Sequence, residues 1–351
     1  MRDKSIDVGR GLLVIMMVYG HVMQFFGDSQ IFPVMGTIID VINLTVFPTF
    51  VFYFGATAVL AYLKKPYLAA LPGMLRTTLR AYIVFCLSGV GYRVLRENKA
   101  FAVGTVRRVM QLTDIPGWSE FLIAFALYGL LMIVGYAVFD YLSRRPAACL
   151  FVSALCLGCC FLVPYERISV HLSLLIGGRE FAYFPVVQYM PYFLAGMLYA
   201  RGDRRIRRGL VIVSVIASLA GVAHWHFIGF PSRFPPSWGW ILLPGALVSA
   251  VVLLSSAICT LAGSWLGRIA DALCGVLGHF GGASLYYLLG SNLVLFTLAG
   301  KGAAPAMARR SVPPWTMPIQ SPKGAACWAA VLLVSLWFVA GLAGRGKGRK
   351  A

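Results

Sequence analysis

Charge is what this chain has least of. Only 12% of its 351 residues are Asp, Glu, Lys or Arg, against about 25% in an ordinary soluble domain, and that scarcity excludes a soluble enzyme. Acids are rarer still, 12 in all, and there are five histidines, so a carboxylate or imidazole cluster able to hold a metal is not expected. The eight cysteines mostly sit inside apolar runs, where cysteine behaves as a small hydrophobe. Cys156-Leu-Gly-Cys159-Cys160 contains a C-x-x-C spacing but has no second ligand pair nearby, as a zinc site would need. There is no internal repeat and no matched pair of broken helices of the kind many transporters carry. No small-residue cleavage site follows the first apolar run, which is therefore expected to be a spanning helix and not a cleaved leader.

What is present is apolar. Hydrophobic residues make up 59% of the chain and the mean hydropathy is +0.79. A spanning helix needs about 20 mostly apolar residues, and ten blocks fit: 11–27, 44–62, 79–97, 118–139, 148–164, 182–200, 209–228, 239–261, 281–300 and 325–343. The ninth can begin earlier, because 272–283 is apolar apart from His279. The connections are too short for a second folded domain. The expectation is an all-α polytopic membrane bundle over residues 1–344 with a basic tail at 345–351.

The formal charge of +19 raises the question of nucleic acid, but the basic residues fall mostly in short connections, where lipid headgroups and topology account for them. With the amino terminus inside, both the Arg201–Arg208 cluster and the Arg345–Lys350 tail are cytoplasmic, as the positive-inside rule prefers. Ten spans then put both termini in the cytoplasm.

Ionisable groups against hydrocarbon are costly and mark function by default. Arg10 and His21 are eleven residues apart in the first block; at about 100° per residue that is three turns plus roughly 20°, so they share a face about 16 Å apart in depth. Asp7 joins the same stripe. Arg10 suits phosphate at the headgroup level, and His21, whose ordinary pKa lies near 6.5, suits general-base work at mid-membrane. The plain alternatives are an interfacial anchor and a buried imidazole bonded to a neighbouring helix. Arg76 and Arg80, at i and i+4, can grip one polyanion from a single helix face, or simply anchor the inner end. Trp118 offers a ring face to a sugar and Glu120 a carboxylate to its hydroxyls; an interfacial Trp and a helix-capping Glu are the alternatives. Arg179-Glu180 reads as a local pair and His224-Trp-His226 as an interfacial belt.

Ser5-Ile-Asp-Val-Gly-Arg10-Gly followed by His21 resembles the first-helix signature of the membrane acyltransferase-3 family, a basic residue and a histidine separated by ten positions. Arg76 and Arg80 before Ala81-Tyr-Ile-Val-Phe85 resemble its basic motif opening the third helix. Trp118 to Tyr128 is similar to its aromatic-led helix, and Met190-Pro-Tyr-Phe-Leu-Ala-Gly-Met-Leu198 to a later one. The chain departs from the family at Phe54-Gly55, where a small Ser-Gly is usual, and at Gly290, where a histidine often follows Ser-Leu-x-Tyr-Leu-Leu. Membrane glucan succinyltransferases and lysosomal-type glucosaminide acetyltransferases have a similar first helix.

The resemblance implies transfer of an acyl group, acetyl in the first instance, from cytoplasmic acyl-CoA to a hydroxyl of a cell-surface or lipid-linked carbohydrate, in a bacterial inner membrane. Arg10, Arg76 and Arg80 would hold acetyl-CoA, His21 would act as base or covalent relay, and Glu120 and Trp118 would position the acceptor; no metal is implied. A transporter or flippase for a glycolipid or small acid, with His21 relaying protons, is the alternative from another class, and an inactive scaffold is the third. The catalytic reading fails if Arg10 and His21 turn toward lipid, or lie on different sides of the helix, with no cavity joining them.

Overall fold

In the computed structural model, residues 3–179, 184–262, 267–300 and 320–345 are described, and among them every regular element is helical. The chain opens with α1 (Lys4–Phe26), whose first turn is capped by the Asp3 carboxylate accepting the Ser5 amide proton. Next come α2 (Val34–Ala58), continued by a π turn to Leu63, and α3 (Tyr67–Gly91), continued by another to Arg96. A short α4 (Val103–Met110) lies in the following connection. The remaining helices are α5 (Glu120–Val134), α6 (Tyr136–Ser143), α7 (Pro146–Leu162), α8 (Val170–Ile176), α9 (Val186–Arg201), α10 (Arg204–Ile228), α11 (Trp238–Leu242), α12 (Gly245–Leu261), α13 (Gly267–Gly282), α14 (Ser284–Gly300) and α15 (Pro322–Arg345).

Among the described residues each apolar block of the sequence is occupied by helix, but fewer than ten of these helices are long enough to cross a membrane unaided. Six helices among the described residues are long and apolar enough, or eight if each of two bent pairs is one span. The bends are sharp: α5 turns by 92° into α6 at Gly135, and α13 by 74° into α14 beside Gly281 and Gly282. Glycine relaxes the backbone where a continuous hydropathy window shows no break. The 17 residues of α7 and 16 of α9 rise only about 24–26 Å, short of a roughly 30 Å hydrocarbon core.

Burial orders the bundle. In α1 and α2, 67% and 78% of the apolar window lies inside the protein, against 17% in α10, so the first two helices form the centre and α10 is largely peripheral. Leu75, Leu79, Ile83 and Leu87 make an outward apolar stripe on α3, spaced as a lipid-facing surface requires. Close approach at the centre depends on missing side chains. A Cβ on Gly11 would collide with the backbone of Leu277 in α13, one on Gly281 with that of Asp7, and Gly55 and Gly196 make the same backbone contacts between α2 and α9.

At the far end of α3, Arg93 binds Asp114 with both guanidinium edges (Nε to Oδ2, 3.1 Å) and also pairs with Glu97, which Lys99 reaches at 3.0 Å. This network ties the 97–114 connection to the bundle. Partial burial would raise the pKa of Glu97, but its bonds to Arg93 and Lys99 outweigh burial and hold it below the ordinary glutamate value. The contribution of Glu97 is therefore complete above its unfolded pKa and is lost as pH falls through its folded one. Arg93→Ala is expected to cost roughly 2–3 kcal/mol, read as a lower melting temperature of the detergent-solubilised protein at neutral pH, with the gap narrowing in acid. An unchanged melting temperature would show that the network contributes nothing.

Candidate functional site

His21 projects from α1 towards α14 and the loop that opens α5. Its Nδ1 lies 3.0 Å from Asn292 Oδ1. The amide nitrogen of Asn292 is committed elsewhere, donating to Ser88 Oγ and to the Trp118 carbonyl, each at 3.2 Å. With the amide thus oriented, its oxygen must accept, so His21 carries its proton on Nδ1 and leaves the Nε2 lone pair available. Ser88 Oγ is also bonded to Ser119 Oγ at 2.7 Å, which locks α3, α14 and the start of α5 together behind the imidazole.

The loop before α5 is held in a demanding conformation. Trp118 has φ +68°, a left-handed backbone that costs a non-glycine residue roughly 1–3 kcal/mol. The Asn292 bond to its carbonyl and the packing of its ring on Phe25 (4.5 Å between centroids) hold it there. The result is an indole perpendicular to the His21 ring, with 5.3 Å between centroids. Two residues on, Glu120 starts α5 with its Oε2 buried and without a hydrogen-bond partner.

His21, Trp118 and Glu120 line one cavity of about 280 Å³, together with Gln24, Asn43 and Arg233. Gln24 and Asn43 are joined by a 3.4 Å hydrogen bond. Arg233 comes from the 229–237 loop, stacked over Phe184 and Phe234 at 5.5 and 4.5 Å, and its Nε is buried and unbonded. The cavity therefore combines a base-competent imidazole, a carboxylate, a guanidinium and an aromatic wall.

Arg10 lines a different cavity of about 160 Å³, with Phe54, Thr57, Tyr62, Thr77 and Met132. Both cavities are walled by α1, α2 and α5, as the shared helical face of Arg10 and His21 predicts, but no residue lines both. Between them lies a phenylalanine layer: the Phe125 ring is 6.3 Å from Phe50, which borders the His21 cavity, and 5.6 Å from Phe54, which borders that of Arg10. The continuous seam expected between the two residues is interrupted there.

Arg76 and Arg80 share a face of α3, as their spacing requires, but it is the exposed one; α3 turns Ala70, Met74, Ala81, Phe85 and Ser88 inward. Neither arginine lines a cavity with Arg10. The expected three-arginine grip is thus not assembled: Arg10 is part of the interior and the other two are on the surface. Arg179 pairs with Glu166 across the 165–179 turn, while Glu180 lies outside the described residues. His224 packs against Trp238 at 4.7 Å and His226 is exposed. Among the described residues no cluster of three His, Cys, Asp or Glu side chains is placed to hold a metal.

The sequence reading missed Asn292, Ser88 and Arg233. Asn292 had a signal, an amide inside the otherwise apolar 284–300 block, where polar groups join helices. Arg233 had a weaker one, a cation flanked by aromatics and prolines in Phe230-Pro-Ser-Arg-Phe-Pro-Pro. Comparison with protein-family models gives no match, and no curated protein matches the chain.

Proposed function

We propose that this protein is a membrane-embedded acyltransferase, of the kind the acyltransferase-3 resemblance implies, that moves an acyl group from cytoplasmic acyl-CoA to a hydroxyl of a cell-surface or lipid-linked carbohydrate. The observation that carries the reading is the His21–Asn292 pair, which orients a base-competent imidazole towards α14 at the wall of a cavity shared with Glu120. In the step proposed, His21 Nε2 takes the acceptor hydroxyl proton and the oxygen bonds to the thioester carbon. The carbon–sulfur bond then breaks, and the proton passes from His21 to the CoA sulfur. Glu120 Oε2, which has an unused acceptor position, takes a second hydroxyl of the acceptor, and Trp118 gives the sugar a wall.

The donor enters from the Arg10 side. Arg76 and Arg80 meet its phosphates at the membrane surface, and Arg10 takes the pantetheine end inward. Eleven helical residues separate Arg10 from His21, about 16 Å, within reach of an extended pantetheine arm. The arm must displace the rings of Phe50, Phe54 and Phe125. Ten spans with both termini cytoplasmic, in a bacterial inner membrane, complete the reading, with the short α7 and α9 crossing side by side.

The interrupted seam favours one rival, a transporter or flippase in which the phenylalanine layer separates two access states. Purified protein in proteoliposomes decides between them. Acceptor-dependent release of free CoA from acetyl-CoA is expected; movement of labelled acetate or glycolipid without thiol release would replace the enzyme by the transporter. Asn292→Leu is expected to lower the turnover number about 10²-fold while leaving the KM for acetyl-CoA near its original value. A loss confined to KM would remove Asn292 from the orientation of the base.

A further inference from the structure

Arg233 is a cation with no bonded partner, although Glu120 lines the same cavity. Among the described residues it forms no ion pair and no hydrogen bond, and its Nε is shut off from solvent. Its guanidinium instead lies over the rings of Phe184 and Phe234, and its buried Nε–H is left to be satisfied by something else. Glu120 from α5, Asp40 from α2 and the Tyr189 phenol from α9 are the titratable groups that face it. None of the three hydrogen-bonds to the guanidinium.

The unbonded Oε2 of Glu120 lines the same space. A buried, unsatisfied polar group is costly, more so when charged, so two of opposite polarity in one cavity describe what is missing from it. Arg233 needs an acceptor of negative charge, and Glu120 needs a hydroxyl donor. A volume of about 280 Å³ lies just under the range of ligand pockets, roughly 300–1,000 Å³, and admits one sugar ring.

We infer that the acceptor is an acidic sugar unit, bearing a carboxylate or phosphoryl group that Arg233 binds while Glu120 holds a hydroxyl on the same ring. This deepens the acyl-transfer proposal by naming its acceptor class. The arrangement also has a geometric consequence: anchoring the ring at its anion fixes which hydroxyl is offered to His21, so Arg233 sets the position that is acylated.

The test is sugar binding to the full-length protein in nanodiscs, measured by calorimetry with glucuronate, glucose 1-phosphate and glucose, without any acyl donor. At least one anionic sugar is expected to bind about tenfold or more tightly than glucose, and the two anions distinguish carboxylate from phosphoryl recognition. Arg233→Gln is expected to abolish the preference. Arg233→Lys, which keeps the charge but not the fork, retains part of it and guards against a variant that merely misfolds. Equal binding of glucose and the anions, binding of none of the three, or a preference that survives Arg233→Gln overturns the inference. Acetyl-CoA turnover is measured separately. An Arg233-dependent preference with no turnover supports the acidic-sugar site and overturns acyl transfer. His21-dependent turnover with no preference does the reverse.

Discussion

His21→Ala is expected to reduce acetyl transfer from acetyl-CoA by about 10²–10⁴-fold, the range a general base contributes, equivalent to roughly 3–5.5 kcal/mol of transition-state stabilisation. The expectation follows from the hydrogen-bond chain and not from the histidine alone. Asn292 is fixed by Ser88 and the Trp118 carbonyl, and it presents an oxygen to His21 Nδ1; alanine removes the only imidazole lining that cavity among the described residues. The same change leaves the Asn292 oxygen without its partner, a cost of about 1–3 kcal/mol, so a fall in activity through instability must be separated from a fall in chemistry. His21→Gln keeps a hydrogen-bonding side chain at the site but has no titratable lone pair. It should melt closer to the parent protein than His21→Ala does while being as inactive. Radiolabelled acetyl transfer in membranes, normalised to protein amount and accompanied by melting temperatures, makes the separation. Full transfer by a well-folded His21→Gln protein would remove proton transfer at this residue from the mechanism.

The α1 seam was legible because helical periodicity alone fixes it. Residues eleven apart must face nearly the same way, and Arg10 and His21 do line cavities on the side of α1 that faces α2 and α5. Trp118 and Glu120 were legible because an aromatic and a carboxylate stand at the start of an apolar run. Asn292 lies 271 residues from His21, and only packing of α14 brings it there. Periodicity also placed Arg76 and Arg80 on one face of α3 but could not say which face is buried; that is decided by how Met74, Ala81 and Phe85 pack. The phenylalanine layer was invisible for the same reason, since Phe50, Phe54 and Phe125 look like ordinary core until their neighbours are known. Among the described residues, fewer than ten helices are long enough alone because glycines bend two apolar stretches and because α7 and α9 are short; hydropathy sums over residues and registers neither direction nor helix ends.

The second large effect belongs to the contact that holds α1 in place. Gly281→Leu is expected to abolish folding. A Cβ at Gly281 would drive into the Asp7 carbonyl and come within 2.8 Å of the Gly11 nitrogen, while one at Gly11 would enter the Leu277 carbonyl and lie 2.7 Å from its carbon. These are backbone atoms, which cannot rotate aside as a side chain can, so the two helices must separate. Separation exposes the packing that lines up Asp7, Arg10 and His21 on the bundle's central rod, and the cost should exceed the roughly 1–3 kcal/mol typical of an overfilled core. Two turns of the same helix supply the controls: nothing lies within 4 Å of a Cβ at Gly275 or Gly278. Gly278→Ala, on the open side of α13, should therefore be neutral or stabilise by up to about 1 kcal/mol through helix propensity. Size-exclusion profiles and melting temperatures of the solubilised proteins distinguish these outcomes. A monodisperse Gly281→Leu protein melting with the parent would mean that α1 and α13 do not meet backbone to backbone, and the placement of the α1 seam would have to be redrawn.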